Sequence, residues 1–91
     1  MQFTWDPAKA RENLRKHGVS FEEATTVFAN RLARIFDDPD HSFGERREII
    51  IGHSARERLL LVSFTERGVF TRIISARRPD ARERRDYEES S

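Results

Sequence analysis

The chain reads as one α+β domain in the order β-α-α-β-β-β-β-α: an antiparallel sheet packed by two amino-terminal helices, with a charged carboxy-terminal helix closing it. Three observations predict this. Residues 6–28 carry two capped segments with helical spacing of apolar residues. Residues 31–77 change to extended runs of Ile, Leu and Val separated by turn residues. Residues 80–88 return to helix, again behind a cap, but with almost no apolar face.

The elements follow in order. Residues 2–5 form a short alternating strand with Phe3 on one face and Thr4 on the other. Asp6 is an N-cap and Pro7 suits the first helical position. That helix runs to Lys16 or His17, where Gly18 supplies a left-handed stop. Its apolar stripe is thin, Ala10 and Leu14. Ser20 and Glu23 have capping-box spacing, with Glu23 expected to reach back to the cap. Phe21, Ala24, Val27 and Phe28 line one face of the second helix.

Residues 31–36 read as a strand. Asp37, Asp38, Pro39 and Asp40 make a turn, and a loop continues through His41 to Gly44. Strands are expected at 46–52, 58–65 and 69–77, with turns at 53–57 and at Glu66-Arg67-Gly68. The continuous apolar runs 49–51 and 59–62 belong at the sheet centre, covered on both faces. Asp80 and Glu83 then open the last helix. Ala81 and Tyr87 are its clear anchors, so it lies loosely on the domain or packs on something else.

Ninety-one residues with 36% hydrophobic content make a single domain with one core. Cysteine is absent, which excludes disulfides and thiolate chemistry. No apolar run is long enough to span a membrane, and the first residues lack the apolar core of a signal peptide, so a cytoplasmic protein is expected. Residues 1–45 hold 6 Lys+Arg against 8 Asp+Glu, a net −2, and residues 46–91 hold 11 against 8, a net +3. Arginine accounts for 15 of the 17 basic residues, and it is the cation suited to two-pronged phosphate or carboxylate recognition.

The segment 72–78, Arg-Ile-Ile-Ser-Ala-Arg-Arg, is the most pointed feature. A regular strand places Arg72, Ile74 and Ala76 on one face and Ile73, Ser75 and Arg77 on the other. Arginine on both faces is costly to bury unless each charge has a partner, either an internal carboxylate or an external anion such as a phosphodiester. His17, His41 and His53 are not at metal-ligand spacing, and no metal or other cofactor is expected. There is no Ser elbow, and the four glycines are scattered rather than forming a phosphate loop. What remains is a set of cations and proton carriers: Lys16, His17, Glu45, Arg47, Arg58, Arg72 and Arg77. Such a set can cut an RNA phosphodiester, because the ribose 2′-OH is the nucleophile and needs only a base, an acid and cations around the phosphorane. On pattern alone, salt bridges on a solvated sheet edge account for the same residues better, since 36% charged residues guarantee clusters.

A whole-chain resemblance changes that balance. Trp5-Asp6-Pro7-Ala8-Lys9-Ala10, Asn13, Lys16-His17-Gly18-Val19, Phe21-Glu22-Glu23-Ala24 and Phe28 resemble the amino-terminal signature of BrnT proteins. Glu45-x-Arg47, Gly52, Arg58-Leu59-Leu60-x-Val62, the segment from Arg72 to Arg77 and Glu83-Arg84-Arg85-x-Tyr87-Glu88 resemble the rest. The resemblance implies a small ribonuclease toxin of a type II toxin–antitoxin pair, with a RelE-like fold, cutting RNA without metal and inhibiting translation. It implies a BrnA-like ribbon-helix-helix antitoxin as partner, operator DNA bound only through the toxin–antitoxin complex, and a possible homodimer within it. Carried over, Arg72, Arg77, Glu45 and His17 are the catalytic candidates, and Lys16, Arg47, Arg58 and Arg78 the RNA-binding ones. Arg72 and Arg77 differ in strand parity, so both reach one cleft only through a bulge or the strand end. Otherwise one of them is structural, paired with Glu83 or Glu88. A non-enzymatic co-repressor module in a DNA-binding complex is the alternative.

Overall fold

The structure is a computed structural model that describes residues 1–38 and 46–90. Its elements are β1 (Gln2–Thr4), α1 (Pro7–His17), α2 (Phe21–Val27), β2 (Arg34–Asp37), β3 (Glu48–His53), β4 (Leu59–Arg67), β5 (Phe70–Arg77) and α3 (Ala81–Glu89). The order is the one expected. Pro39, Asp40, His41, Gly44 and Glu45 lie outside the described residues.

Local chemistry sets the helix ends. The Asp6 carboxylate accepts from Ala8 N at 2.8 Å, Pro7 follows it, and Gly18 closes α1 at φ 69° with its N–H donating to Leu14 O. Ser20 Oγ accepts from Glu23 N at 3.0 Å at the start of α2. The expected return bond from Glu23 to the cap is replaced, because the Glu23 carboxylate turns inward to Ser54 and Arg58. The full reciprocal box forms instead at α3, between Asp80 and Glu83.

The five strands lie in the order β1-β5-β4-β3-β2. Strands β2 to β5 form an antiparallel meander, as expected, but β1 joins β5 in parallel, Phe3 opposite Thr71, so the sheet is mixed rather than antiparallel. A three-residue strand carries no orientation signal. Its direction follows from the chain having to leave Thr4 for α1 on the helical side, while three reversals fix the direction of β5. Residues 31–32 form a turn rather than opening β2. That turn sets Ala33 against Gly52, where an added Cβ would meet Ala33 Cβ at 2.7 Å. The β4–β5 hairpin closes through Gly68 and Val69, slightly later than expected, because the ladder persists to Arg67 opposite Phe70.

One sheet face packs on α1 and α2. Val19, Phe21, Ala24 and Val27 meet Ile50, Leu60, Val62, Phe64, Ile73 and Ala76 there. Phe3, Phe28 and Phe64 pack in sequence, tilted and then edge-on, with ring centroids 5.1 and 5.0 Å apart. Since Leu60, Val62 and Phe64 point into this core, Leu61, Ser63 and Thr65 point to the opposite face. Ile51 and Leu61 on that second face are nonetheless only 2% and 4% exposed.

Strand β5 holds a bulge. Ser63 pairs with Ser75 and Phe64 with Ile73, leaving Ile74 without a cross-strand partner. The extra residue reverses the alternation beyond it. Ile73 and Ala76 both enter the core, while Arg72, opposite Thr65, and Arg77, opposite Leu61, share the second face. The parity conflict in the regular strand is thus resolved by the bulge.

Candidate functional site

The ladders arrange the second face as rows across the strands. Arg34, Ile51, Leu61 and Arg77 form one row, and Phe36, Ile49, Ser63 and Ser75 the next. The register carried one step past Glu48 sets Arg47 opposite Thr65, which pairs with Arg72; Asp38 N donates to Arg47 O at 3.1 Å on the other side. Small hydroxyl residues therefore lie between a two-arginine row at one end and Arg77 at the other.

A cleft of about 230 Å³ opens on this face, lined by Arg47, Ser63, Ser75, Arg77, Glu83 and Asp38 together with the aliphatic side chains of the strands. Arg77 reaches it from the end of β5. Its Nη1 and Nη2 donate to the two carboxylate oxygens of Glu83 at 2.8 and 2.9 Å, so the fork of the guanidinium is matched by a planar anion. The Glu83 hydrogen bond raises the Arg77 guanidinium further above its ordinary value. Arg77 in turn holds the Glu83 carboxyl below the usual carboxylate range, and the Asp80 backbone N–H adds to the effect. Glu83 is therefore a fixed carboxylate, not a poised acid.

Arg47 presents a different situation. Its Nε is buried with no hydrogen-bond partner among the described residues. A buried donor without a partner carries an uncompensated desolvation cost, and an anion entering the cleft would relieve it. Arg72 is half-buried on the same face, outside the lining of the cleft, with no ion pair among the described residues. The unmet donor of Arg47 and the two hydroxyls are what the cleft offers a phosphodiester, with Arg77 beyond its Glu83 fork and Arg72 farther along the face as further cations, set against the carboxylates of Glu83 and Asp38 in the same lining.

The other expected site residues lie elsewhere. Arg58 is committed to the buried carboxylate of Glu23, with Nε to Oε2 at 2.9 Å and Nη2 to Oε1, and it also donates to Gly18 O at 3.1 Å. It ties β4 to α2 and to the end of α1. Lys16 and His17 are exposed at that helix end and do not line the cleft. Arg78 is exposed and lines a separate recess with His53, Arg58 and Tyr87. Ser63 and Ser75 were not anticipated. The alternation of Ser63 and Thr65 with Leu60, Val62 and Phe64 was the available signal. Among the described residues, no group of three or more His, Asp or Glu side chains is placed to hold a metal ion. No described helix is long and apolar enough to cross a membrane.

Comparison with known proteins adds to this geometry. The sequence pattern of a family described as the ribonuclease toxin BrnT of type II toxin–antitoxin systems matches residues 5–83. That span ends on Glu83, so it contains both members of the Arg77–Glu83 pair. The crystal structure of the Brucella abortus ribonuclease toxin BrnT is similar, with a TM-score of 0.67 and 24% identity over 88% of this chain and 97% of that one. At that identity the likeness concerns the fold. No curated protein matches the chain.

Proposed function

The chain belongs to the BrnT family of ribonuclease toxins of type II toxin–antitoxin systems, and from that premise we propose that it cuts RNA without metal on the open face of its sheet, at the cleft between Arg47 and Arg77. The observation that supports this most directly is the buried Nε of Arg47, without a partner among the described residues, in the cleft that the forked Arg77 also lines.

In the proposed reaction the ribose 2′-oxygen attacks the adjacent phosphorus and the bond to the 5′-oxygen breaks, leaving a 2′,3′-cyclic phosphate. A base takes the 2′ proton and an acid returns one to the 5′-oxygen. Arg47, Arg72 and Arg77 bind the phosphate and the charge that grows on it. Glu83, held ionised by Arg77, is a weak base and serves to aim that guanidinium. Glu45, two residues before Arg47 in the chain, is the proton carrier of this reading. His17 is exposed at the end of α1, outside the cleft, and would act only on RNA that also reaches the helical layer.

The toxin acts on translation in the cytoplasm and is neutralised by an antitoxin, which we take to be a BrnA-like ribbon-helix-helix protein that alone carries the complex to operator DNA. Strand β2 is an edge of the sheet, with its own Ile35 56% exposed, and it suits strand addition by that partner or by a second copy.

The test is expression of the chain alone, with purified RNA incubated in excess chelator. Growth arrest and cleavage that fall away in Arg47→Ala and Arg77→Ala support the reading. Intact RNA with the parent chain overturns it, and operator binding with the antitoxin in that case leaves a co-repressor module.

A further inference from the structure

Arg77 and Arg78 are consecutive at the end of β5, yet they serve different depressions. Arg77 opens on the cleft of the sheet face. Arg78 opens on a recess of about 400 Å³ between the β3–β4 turn and α3. We propose that this recess is a second nucleotide subsite for single-stranded RNA, taking the base and phosphate of the nucleotide next beyond the two that the scissile link joins; it rests on the ribonuclease reading above.

Three independent observations support it. First, the guanidiniums of Arg78 and Arg84 are exposed there and have no hydrogen bond or ion pair among the described residues, in contrast to Arg58 and Arg77 beside them. Second, Tyr87 stands apart from the aromatic core. It sits on a helix with no buried residue, and its ring meets His53 edge-on, centroids 6.4 Å apart. An edge-on pair leaves at least one face of each ring unstacked, and aromatic faces among arginines are what single-stranded RNA readers offer a base. Third, Glu57 in the same recess has φ 62°, and no other non-glycine among the described residues has positive φ. The bond from its N–H to Ser54 O at 2.8 Å holds this conformation. Ser54 N donates to Arg58 O at 2.9 Å across the same turn, so Glu57 is the left-handed residue that closes a short hairpin loop, and this fixes where its side chain leaves the turn.

The carboxylates define the base. Glu88 is engaged within the chain, whereas Glu57 is exposed on the turn. A carboxylate beside a stacked base accepts from an exocyclic amino group, which adenine, cytosine and guanine carry and uracil lacks. The subsite therefore favours an amino-bearing base at the flanking position.

The test compares cleavage of a dinucleotide with that of an octanucleotide by the parent, Arg84→Ala and Tyr87→Ala. Loss of one stacked base by alanine substitution amounts to about 5- to 150-fold, so kcat/KM on the octanucleotide should fall by about fivefold or more beyond its fall on the dinucleotide, chiefly through KM. Glu57→Gln should narrow the discrimination against uracil at the flanking position. Equal losses on both substrates, or no loss on either, overturn the subsite while cleavage by the parent keeps the ribonuclease reading. A parent that cleaves neither overturns both. Variants that cleave like the parent but escape neutralisation by the antitoxin overturn it in favour of a protein-docking surface.

Discussion

Glu83 holds Arg77 through both oxygens of its carboxylate while its Oε1 also accepts from the Asp80 backbone N–H at 2.9 Å. One side chain thus completes the cap of α3 and orients the cation of the cleft. Lysine in place of Arg77 would keep the charge and lose the fork. Arg77→Lys is expected to lower RNA cleavage by about a hundredfold, the scale on which misplacing a phosphate contact acts. Single-turnover rates at saturating RNA measure it, and retention of parental kcat would show that the fork is not used.

Arg47 contributes to the cleft at a cost to the fold, because its Nε is buried with no partner among the described residues. Arg47→Met preserves the length of the side chain and removes the stranded donor. Stability to urea should stay within about 1 kcal/mol of the parent, or rise, while cleavage is lost. A variant that loses both would instead place Arg47 in the structural framework.

The Glu23 carboxylate is buried against Ser54 Oγ at 2.7 Å and the Arg58 guanidinium. The Arg58 hydrogen bond, with Ser54 and the charges of Arg58 and Arg56, holds it below the usual carboxylate range. Its folded value is depressed, so the stability it contributes is fully present above the unfolded value of about 4.3 and is lost as pH falls through the folded one. Glu23→Gln should therefore be clearly less stable than the parent at neutral pH and approach it in strong acid. Urea midpoints measured from pH 7 down to pH 2 check this, and parallel curves would refute it. Glu83 adds an acid dependence of the same sign.

Asn13 is the buried link between the helices and β5. Its amide donates to Val19 O at 2.9 Å and Ala76 O at 2.8 Å, and its oxygen accepts from Ala76 N at 3.1 Å. Asn13→Ala strands three backbone groups and should cost about 2–4 kcal/mol. Asn13→Asp should be at least as harmful, since a carboxylate would face two carbonyl oxygens. Thermal melts of the two variants order them.

Much of the fold was legible in local chemistry. The Asp6-Pro7 start, the Gly18 stop and the Asp80–Glu83 box are signals that short stretches carry by themselves, and the alternation along β4 marked its two faces. The features that build the cleft are long-range. Glu23 sits three residues after a Ser cap, so it reads as a capping-box partner. Only tertiary packing brings Arg58, thirty-five residues on, to claim its carboxylate. The parallel placement of β1 depends on where the meander ends. The bulge at Ile74 has no glycine or proline to announce it, so both arginines could be placed in the strand but not on a common face.

That bulge makes the chain's length between Arg72 and Arg77 tolerant of one loss. Deleting the single residue Ile74 leaves a regular strand in which Arg72, Ser75 and Arg77 keep one face and Ile73 and Ala76 the other, the sides they occupy with the bulge. A substitution at Ile74 leaves the count intact and should also be absorbed. An added residue has no such outlet: it needs a second bulge or it turns one arginine toward the apolar core, so a one-residue gap in an alignment belongs at the bulge, where it leaves the inside of the protein and its working surface in place.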